Sequence, residues 1–396
     1  MIYLIGTGCG CGSLTKEAAD AIGGAAALIG AERLLRMFPD NVNKTAAVRK
    51  EDILAAVKVC LADDPCGSVC ILMSGDSGFY SGTRSLLPLL EEYDVRVLPG
   101  ISSLQVLAAR CGKPWQDWRL CSAHGTECDA VKEVCGGSPV FFLTGGKLGP
   151  AQLCRQLTDA GLSELEVTVG EELGTDKEKI ISGKAGDLAD TDLAALSVML
   201  AEPAPRPYRR TPGLPDEAFE RNSEVPMTKQ IVRSAALSAL ALKENDVCWD
   251  VGAGTGSVAI EMALQAGRVY GVERNARALE LAEKNRRALG AWNLQLSEGS
   301  APDSLRELPA PDAVFVGGSG GKLREILQLV TEKNMQARIC VAAVTVETLS
   351  EACSVLDELG FQADIIQVGV SRSRRVGGLH MMTAQNTIWL VKGERQ

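Results

Sequence analysis

Aromatic residues are scarce, at 4% of a 396-residue chain. So few rings argue against a stacking platform for nucleic-acid bases. Basic residues are outnumbered: 41 Lys and Arg against 50 Asp and Glu leave a net charge of −9. That balance excludes a general nucleic-acid or membrane-surface binder. Long apolar runs are missing too. The longest are strand-sized, well short of the roughly 20 residues that a spanning helix needs, so no membrane partner is expected. The segment Met1-Ile2-Tyr3-Leu4-Ile5-Gly6 has neither a basic n-region nor a long h-region. No secretory signal is expected there, and a cytoplasmic location is. Histidine occurs only twice, at His124 and His380, and none of the 13 cysteines forms a Cys-x-x-Cys pair. The nearest pairs, Cys9/Cys11 and Cys66/Cys70, have no second cluster or histidine at zinc spacing. No structural metal is expected, and the thiols read as reduced and buried.

What is present is ordinary for a globular chain: 46% apolar and 23% charged residues. The length suggests two or three domains at about 150 residues each. Forty-one glycines beside few aromatics suit an α/β architecture with many tight strand-to-helix turns. In the first half, Ile2–Ile5, Val69–Met73, Val95–Leu98, Val140–Leu143, Glu166–Gly170 and Leu196–Leu200 read as strands. Leu14–Ile29 reads as a helix with Thr15 as its N-cap, and further helices start at Ser81 and cover Ser103–Arg110. This alternation predicts a largely parallel, layered sheet.

Glu202–Pro226 then gathers Pro203, Pro205, Pro207, Pro212, Pro215 and Pro226. Proline at that density removes backbone donors and blocks helix, which predicts an extended linker. Its Arg206, Arg209, Arg210 and Arg221 read as a solvated connector. The domain boundaries expected are therefore 1–201, a linker over 202–226, and 227–396.

The second half is more regular. Helix Lys229–Ala241, strand Val247–Val251, helix Val258–Leu264, strand Val269–Glu273 and helix Ala276–Leu289 follow one another. Strands Leu294–Ser297 and Ala313–Val316, helix Lys322–Thr331, strand Arg338–Ala342 and helix Glu347–Leu359 continue it. Strands Ala363–Gln367 and Asn386–Val391 close it with no helix between them. That pattern predicts a doubly wound, Rossmann-like sheet whose final strand is antiparallel. No short-period repeat is present, which excludes a solenoid.

Asp250-Val251-Gly252-Ala253-Gly254-Thr255-Gly256-Ser257 follows a strand and opens a helix. Glycines there let a ligand approach backbone N–H groups. A dinucleotide fingerprint would want glycine at 257, where this chain has serine. Instead Glu273 ends the next strand, placed to accept both ribose hydroxyl hydrogens. S-adenosylmethionine (SAM) is the better ligand, with NAD as the alternative. Gly299, Ser300 and Ala301 follow the third strand, at the carboxyl edge where adenine would sit. Gly317, Gly318, Gly320 and Gly321 follow the fourth, for close backbone approach or simply for a turn.

These residues, with Pro226-Met227-Thr228-Lys229 and Ser371-Arg372-Ser373-Arg374, resemble the precorrin C15-methyltransferase (decarboxylating) domains of cobalamin biosynthesis. The first half resembles their usual companion, a tetrapyrrole methylase of the precorrin C5-methyltransferase type. It does so through Gly6-Thr7-Gly8-Cys9-Gly10, Leu14-Thr15, Ser74-Gly75-Asp76-Ser77-Gly78-Phe79-Tyr80, Pro99-Gly100-Ile101-Ser102-Ser103, Ser122-Ala123-His124-Gly125 and Leu143-Thr144-Gly145. Order and fusion match the bifunctional precorrin C5,15-methyltransferases, over nearly the whole chain. The resemblance implies a tetrapyrrole methylase fold of two α/β subdomains followed by a class I SAM methyltransferase domain. It also implies SAM at two sites. One lies against Gly75, Asp76, Ser77, Ser102, Ser103 and Thr144; Gly8 and Gly10 then line the tetrapyrrole side. The other lies against Thr228, Gly252, Ala253, Gly254, Thr255, Gly256, Glu273, Gly299, Ser300 and Ala301. A homo-oligomer is expected from the same likeness. The family often has proline where this chain has Ser77, and Asn-Pro where it has Asn386-Thr387.

The chemistry so implied is methylation at C5 and C15 with decarboxylation of the C12 acetate. An electron-rich tetrapyrrole carbon is itself the nucleophile, so alignment and exclusion of water matter more than a strong base. The substrate carries many carboxylates, so local basic groups must overcome an acidic chain. Candidates are Arg372, Arg374 and Arg375 beside Gly377-Gly378, with Lys229 and Arg233; the plainer reading is a solvated basic turn. His380, Arg374 and His124 are the catalytic candidates, although a lone histidine is more often simply hydrogen-bonded.

Overall fold

The computed structural model describes residues 1–39, 42–125, 127–205 and 212–395, with only the main chain at Cys11. Arg206, Arg209 and Arg210 of the expected connector lie outside the described residues. Two compact units result: Met1–Val134, Ser138–Thr158 and Ser163–Pro203 form the first, and Cys135–Gly137, Asp159–Leu162 and Ala204–Gln396 the second.

The first unit holds two sheets. One is built from β1 (Ile2–Gly6), β2 (Ala27–Gly30), β3 (Asn43–Ala46), β4 (Val69–Met73) and β5 (Val95–Leu98), in the order β3-β2-β4-β1-β5. All of its pairings are parallel. Helices α1 (Lys16–Gly23), α2 (Glu32–Leu35), α3 (Lys50–Asp63) and α4 (Thr83–Leu86) belong to it. Every residue of β4 is buried. Its side chains alternate between two cores, as a strand covered on both faces requires. Val69, Ile71 and Met73 join Ile53 and Val57, whereas Cys70 and Leu72 join Ile22, Leu34 and Leu35. Thr15 caps α1 by accepting the Ala18 N–H at 3.2 Å. The helix stops at Gly23, with Gly24 as its C-cap, and does not run to Ile29. The glycine pair ends it, so Ala27–Gly30 is free to become β2, a buried parallel strand.

The other sheet comprises β6 (Arg119–Ser122), β7 (Val140–Leu143), β8 (Glu166–Glu171), β9 (Lys179–Lys184) and β10 (Ser197–Ala201), in the order β6-β7-β10-β8-β9. Its helices are α5 (Ser103–Cys111), α6 (Ala130–Val134), α7 (Pro150–Asp159) and α8 (Ala185–Leu188). Here the largely parallel expectation fails. Only β6–β7 is parallel, and the pairs β7–β10, β10–β8 and β8–β9 are antiparallel. β8 and β9 are joined by a loop without a helix, so no crossover exists to make them parallel.

The second unit is one seven-stranded sheet. Its strands are β11 (Val247–Val251), β12 (Arg268–Glu273), β13 (Leu294–Glu298), β14 (Ala313–Val316), β15 (Arg338–Ala343), β16 (Gln362–Val368) and, after a hairpin of β17 (Ser371–Val376) and β18 (Leu379–Ala384), β19 (Ile388–Glu394). The order is β13-β12-β11-β14-β15-β19-β16, and β19 is antiparallel to both of its neighbours. Helices α9 (Gln230–Leu240), α10 (Ser257–Ala263), α11 (Ala276–Ala288), α12 (Leu323–Lys333) and α13 (Val346–Glu358) pack on it. Asn386 and Thr387 precede β19 and are not part of it.

The described part of the proline-rich segment is not an extended solvated connector. Leu214, Phe219 and Val225 are buried. Arg233, fully buried, bonds Asp216 Oδ1 at 2.9 Å and Glu261 Oε1 at 2.8 Å, and its guanidinium lies 4.6 Å from the Phe219 ring centre. These contacts clamp 214–219 onto α9 and α10. Among the described residues no helix is long and apolar enough to cross a membrane, and no group of three or more His, Cys, Asp or Glu could hold a metal. The described cysteines are all free. Burial pushes the Cys70 and Cys154 thiols up to about 12, so they stay protonated.

Candidate functional site

In the second unit, the strand order steps from β12-β11 to β14-β15 at the end of β11, a crevice that open α/β sheets use for ligands. The loop after β11 is held from below: Gly252 N and Ala253 N both donate to Val272 O, at 2.9 and 3.1 Å. Gly252, Gly254 and Gly256 adopt φ of 78°, 54° and 75°, which side-chain-bearing residues avoid. A Cβ at Gly252 would sit 2.8 Å from Gly318 N and O, so the glycine loops after β11 and β14 touch by their backbones. The tight side of this contact is Gly252; a Cβ at Gly318 would lie 3.9 Å from Gly252 Cα, an ordinary distance.

Glu273 ends β12 half-buried. Its Oε2 accepts the Gly254 N–H and its Oε1 the Asn275 N–H, both at 2.9 Å. Each oxygen keeps a second lone pair for a ribose hydroxyl. Gly299 N donates to Glu273 O at 3.0 Å, which draws Gly299, Ser300 and Ala301 to the same edge. A Cβ at Gly254 would lie 3.0 Å from Pro226 O, so the strand of chain carrying Thr228 crosses the loop. The Thr228 carbonyl itself accepts from Arg233 Nη1. Thus the expected SAM residues of this unit converge.

Their fit to SAM rests on polar atoms the protein leaves unmatched. Thr255 Oγ1 and Asp250 Oδ1 are buried without a hydrogen-bond partner among the described residues, a rare and costly condition unless a ligand or water answers it. Asp250 Oδ2 accepts the Ala259 N–H at 2.8 Å. Burial, and secondarily the Glu273 charge, pushes its carboxyl up to about 7 against the lowering effect of that bond. Asp250 was visible in the sequence only as the start of the motif; its burial depends on packing that no local pattern encodes.

The basic segment behaves differently from a single patch. Residues 371–376 and 379–384 form an exposed antiparallel hairpin, with Arg374 opposite Met381 and Arg375 opposite His380. Gly377-Gly378 is its turn. Strand alternation puts Arg372 and Arg374 on one face and Arg375 with His380 on the other. The catalytic candidates Arg374 and His380 are therefore not side by side. Arg372 Nη2 donates to Gln230 Oε1 at 3.3 Å, next to Lys229, the residue that precedes α9. Lys229 is half-buried. Arg233, buried in its ion pairs, is not available to a substrate.

In the first unit, the loops after β1, β4 and β5 meet. Gly8 N donates to Gly75 O at 3.0 Å and Gly75 N to Gly8 O at 3.1 Å. Asp76 braces the loop, accepting Gly78 N–H on Oδ1 at 2.9 Å and Gly100 N–H on Oδ2 at 3.0 Å. Buried Ser77 donates its hydroxyl to Leu98 O at 3.0 Å. Ser102 caps α5, accepting the Gln105 N–H at 3.3 Å, and Ser103 opens that helix. Thr144, buried at the end of β7, donates to Ser197 O. His124 is exposed and lies on Gly145: a Cβ there would come within 2.0 Å of its Nδ1. Phe79 links the loop to the second sheet, 6.0 Å from Phe141 between ring centres. Gly10 has a packing reason of its own, since a Cβ would meet Gly174 O at 2.1 Å. One pairing was not foreseen: Cys121 Sγ and Cys128 Sγ lie 3.4 Å apart, sharing a hydrogen bond that holds the Cys121 thiol low and the Cys128 thiol high.

Two family models match, the tetrapyrrole (corrin/porphyrin) methylases over residues 1–189 and the precorrin methyltransferase domain over 217–393. A precorrin-6Y C(5,15)-methyltransferase [decarboxylating] of Sinorhizobium sp is 30% identical over 319 residues, covering 78% of this chain and 76% of that relative. The chain belongs to the precorrin-6Y C5,15-methyltransferase (decarboxylating) family. A probable cobalt-precorrin-6B C(15)-methyltransferase (decarboxylating) of Pyrobaculum calidifontis is 44% identical over 189 residues, 47% of this chain and 96% of the relative. The crystal structure of a precorrin-6y C5,15-methyltransferase from Geobacter metallireducens GS-15 is 34% identical, covers 48% of this chain and 100% of its own, and has a TM-score of 0.45. The fold class is the one the family carries, a tetrapyrrole methylase followed by a class I SAM methyltransferase. As a member of the family, the chain is a SAM-dependent C-methyltransferase.

Proposed function

We propose that this chain methylates a precorrin of the 6B/6Y type at C5 and C15 and removes the C12 acetate carboxyl as carbon dioxide. The first domain, 1–201, carries C5 methylation; the second, 227–396, carries C15 methylation and decarboxylation, with 202–226 between them. Each domain holds its own SAM. The observation that carries this reading is the second-unit loop, where three left-handed glycines and the Glu273 carboxylate meet at one crevice, with the unmatched Thr255 hydroxyl buried in the same loop. Bound there, SAM supplies an already activated methyl group.

The chain's own residues do the rest. Glu273 fixes the ribose, and the touching glycine loops of Gly252 and Gly318 give the donor a rigid support that holds its methyl in line. In the first domain the Gly75–Ser77 loop and Ser102, Ser103 and Thr144 hold the donor, while Gly8 and Gly10 face the macrocycle. Arg372 and Arg374, with Lys229, hold substrate carboxylates. Arg375 and His380 lie on the hairpin's other face; His380 and His124 are proton donors by this reading. The exposed Leu379, Met381 and Met382 of the hairpin support self-association into a homo-oligomer. A cytoplasmic location accords with SAM supply and free thiols.

Mass spectrometry of the product from purified chain, SAM and precorrin-6B tests the reading. Two added methyl groups and loss of carbon dioxide are expected. A chain that binds SAM and tetrapyrrole without mass change is a sensor and ends the proposal.

A further inference from the structure

A cavity of about 140 Å³ lies at the carboxyl ends of β14 and β15, against the start of α13. Leu323, Val341, Ala342, Thr345 and Thr348 line it together with Gly318, the residue whose backbone also touches Gly252 of the donor loop. None of the residues lining it is charged. Thr345 Oγ1 accepts the Thr348 N–H at 3.2 Å and donates to Thr348 Oγ1 at 3.1 Å. The cavity thus offers a mixed, uncharged lining with three hydroxyl side chains, Ser319, Thr345 and Thr348, and a wall shared with the glycine loop after β11 through Gly318.

We propose that this cavity receives the carboxymethyl side chain that the substrate loses; the inference rests on the decarboxylating reading above. In the reaction the bond between the methylene carbon and the carboxylate carbon breaks. Its electron pair stays on the methylene carbon and spreads into the macrocycle. The carboxylate leaves as neutral carbon dioxide, and a proton, which the reading above takes from His380, completes the new methyl group. No electron is gained or lost by any other species. Negative charge therefore leaves the cavity as the transition state forms. A cation here would bind the starting carboxylate more tightly than the transition state and slow the step. A cavity lined without a cation does the reverse, because an uncompensated carboxylate is costly there and carbon dioxide is not. Carboxylates that persist are held by Arg372 and Arg374, and the one that departs enters a cavity whose described lining carries no charge.

Two variants of the full-length chain test this, with carbon dioxide release from carboxyl-labelled precorrin and added methyl mass as readouts. Calorimetry with S-adenosylhomocysteine follows donor binding. Ala342→Leu fills the cavity. It is expected to lower carbon dioxide release at least about tenfold while C5 methylation and S-adenosylhomocysteine affinity stay at the wild-type level. Thr348→Lys, at a half-buried position in the first turn of α13, is expected to lower kcat for carbon dioxide release about tenfold with KM unchanged or lower, the pattern of a tightened ground state. If Ala342→Leu does not fold, Thr348→Lys alone decides. A folded Thr348→Lys variant releasing carbon dioxide at the wild-type rate overturns the subsite. A wild-type chain that methylates without releasing carbon dioxide overturns the decarboxylating reading and the subsite with it.

Discussion

Replacing Glu273 by alanine gives the sharpest test of the second donor site. Its carboxylate accepts Gly254 N–H and Asn275 N–H at 2.9 Å each and keeps lone pairs for the ribose hydroxyls. Hydrogen bonds to a charged acceptor contribute roughly 1.5–3 kcal/mol each. Losing two, with water recovering part, removes about 3 kcal/mol of SAM affinity, which is roughly a 100-fold rise in Kd. Glutamine keeps one acceptor oxygen, so Glu273→Gln is expected to cost about tenfold. The fold should survive: the two backbone donors are near the surface, and about 1 kcal/mol lowers Tm of a domain this size by roughly 2–4 °C. Calorimetric titration of the full chain with SAM checks this directly. The isotherm should lose its second-domain site and keep the other unchanged. Unaltered stoichiometry and affinity in Glu273→Ala refute the assignment.

Other outcomes follow from the same geometry. Gly252→Ala forces a Cβ to 2.8 Å from the Gly318 backbone at φ 78°; it should abolish second-domain SAM binding in the same titration and cost about 2 kcal/mol or more by urea unfolding. Arg233→Ala leaves the buried Asp216 and Glu261 carboxylates without their cation and is expected to destabilise the second unit by roughly 3–5 kcal/mol, read by urea unfolding. The Asp250 carboxyl, pushed up to about 7 from an ordinary 3.8, stabilises the fold fully below pH 4 and loses that contribution as pH rises through 7; unfolding free energies of ligand-free Asp250→Asn at pH 5 and 8 should differ less than those of wild type, and an equal slope would remove the claim. Arg374→Ala should raise the apparent KM for the tetrapyrrole several-fold and leave SAM affinity alone, measured by initial rates at saturating SAM.

Local chemistry was legible in the residues. Thr15 as a cap, Val69–Met73 as a buried strand and the Gly252–Gly256 loop with Glu273 at the next strand's end all depend on neighbours within one turn or one strand. What failed depends on partners distant in the chain. Arg233 reads as a free cation until Asp216 and Glu261 are packed around it. The segment 371–384 reads as a basic turn because serine and arginine alternate before a glycine pair; paired, it is a hairpin that divides Arg374 from His380. The close packing of Gly10 on Gly174 was equally invisible, because Gly174 lies far along the chain. Of the cavity beside α13 only the Gly317-Gly318-Ser319 wall stood in a visible motif; Val341, Ala342, Thr345 and Thr348 come from β15 and α13 and carry no local signal.

The position of β19 bears on biosynthesis. It lies between β15 and β16, bonded antiparallel to each, although β16 precedes it in the chain. Until residues 388–394 leave the ribosome, β16 has no strand to dock on and β15 presents an open edge. The first unit's parallel sheet, by contrast, has all its strands by Leu98. Synthesis therefore exposes a half-built methyltransferase sheet behind a finished neighbour, and a stall or truncation just before β19 would leave two unpaired edges seeking other chains.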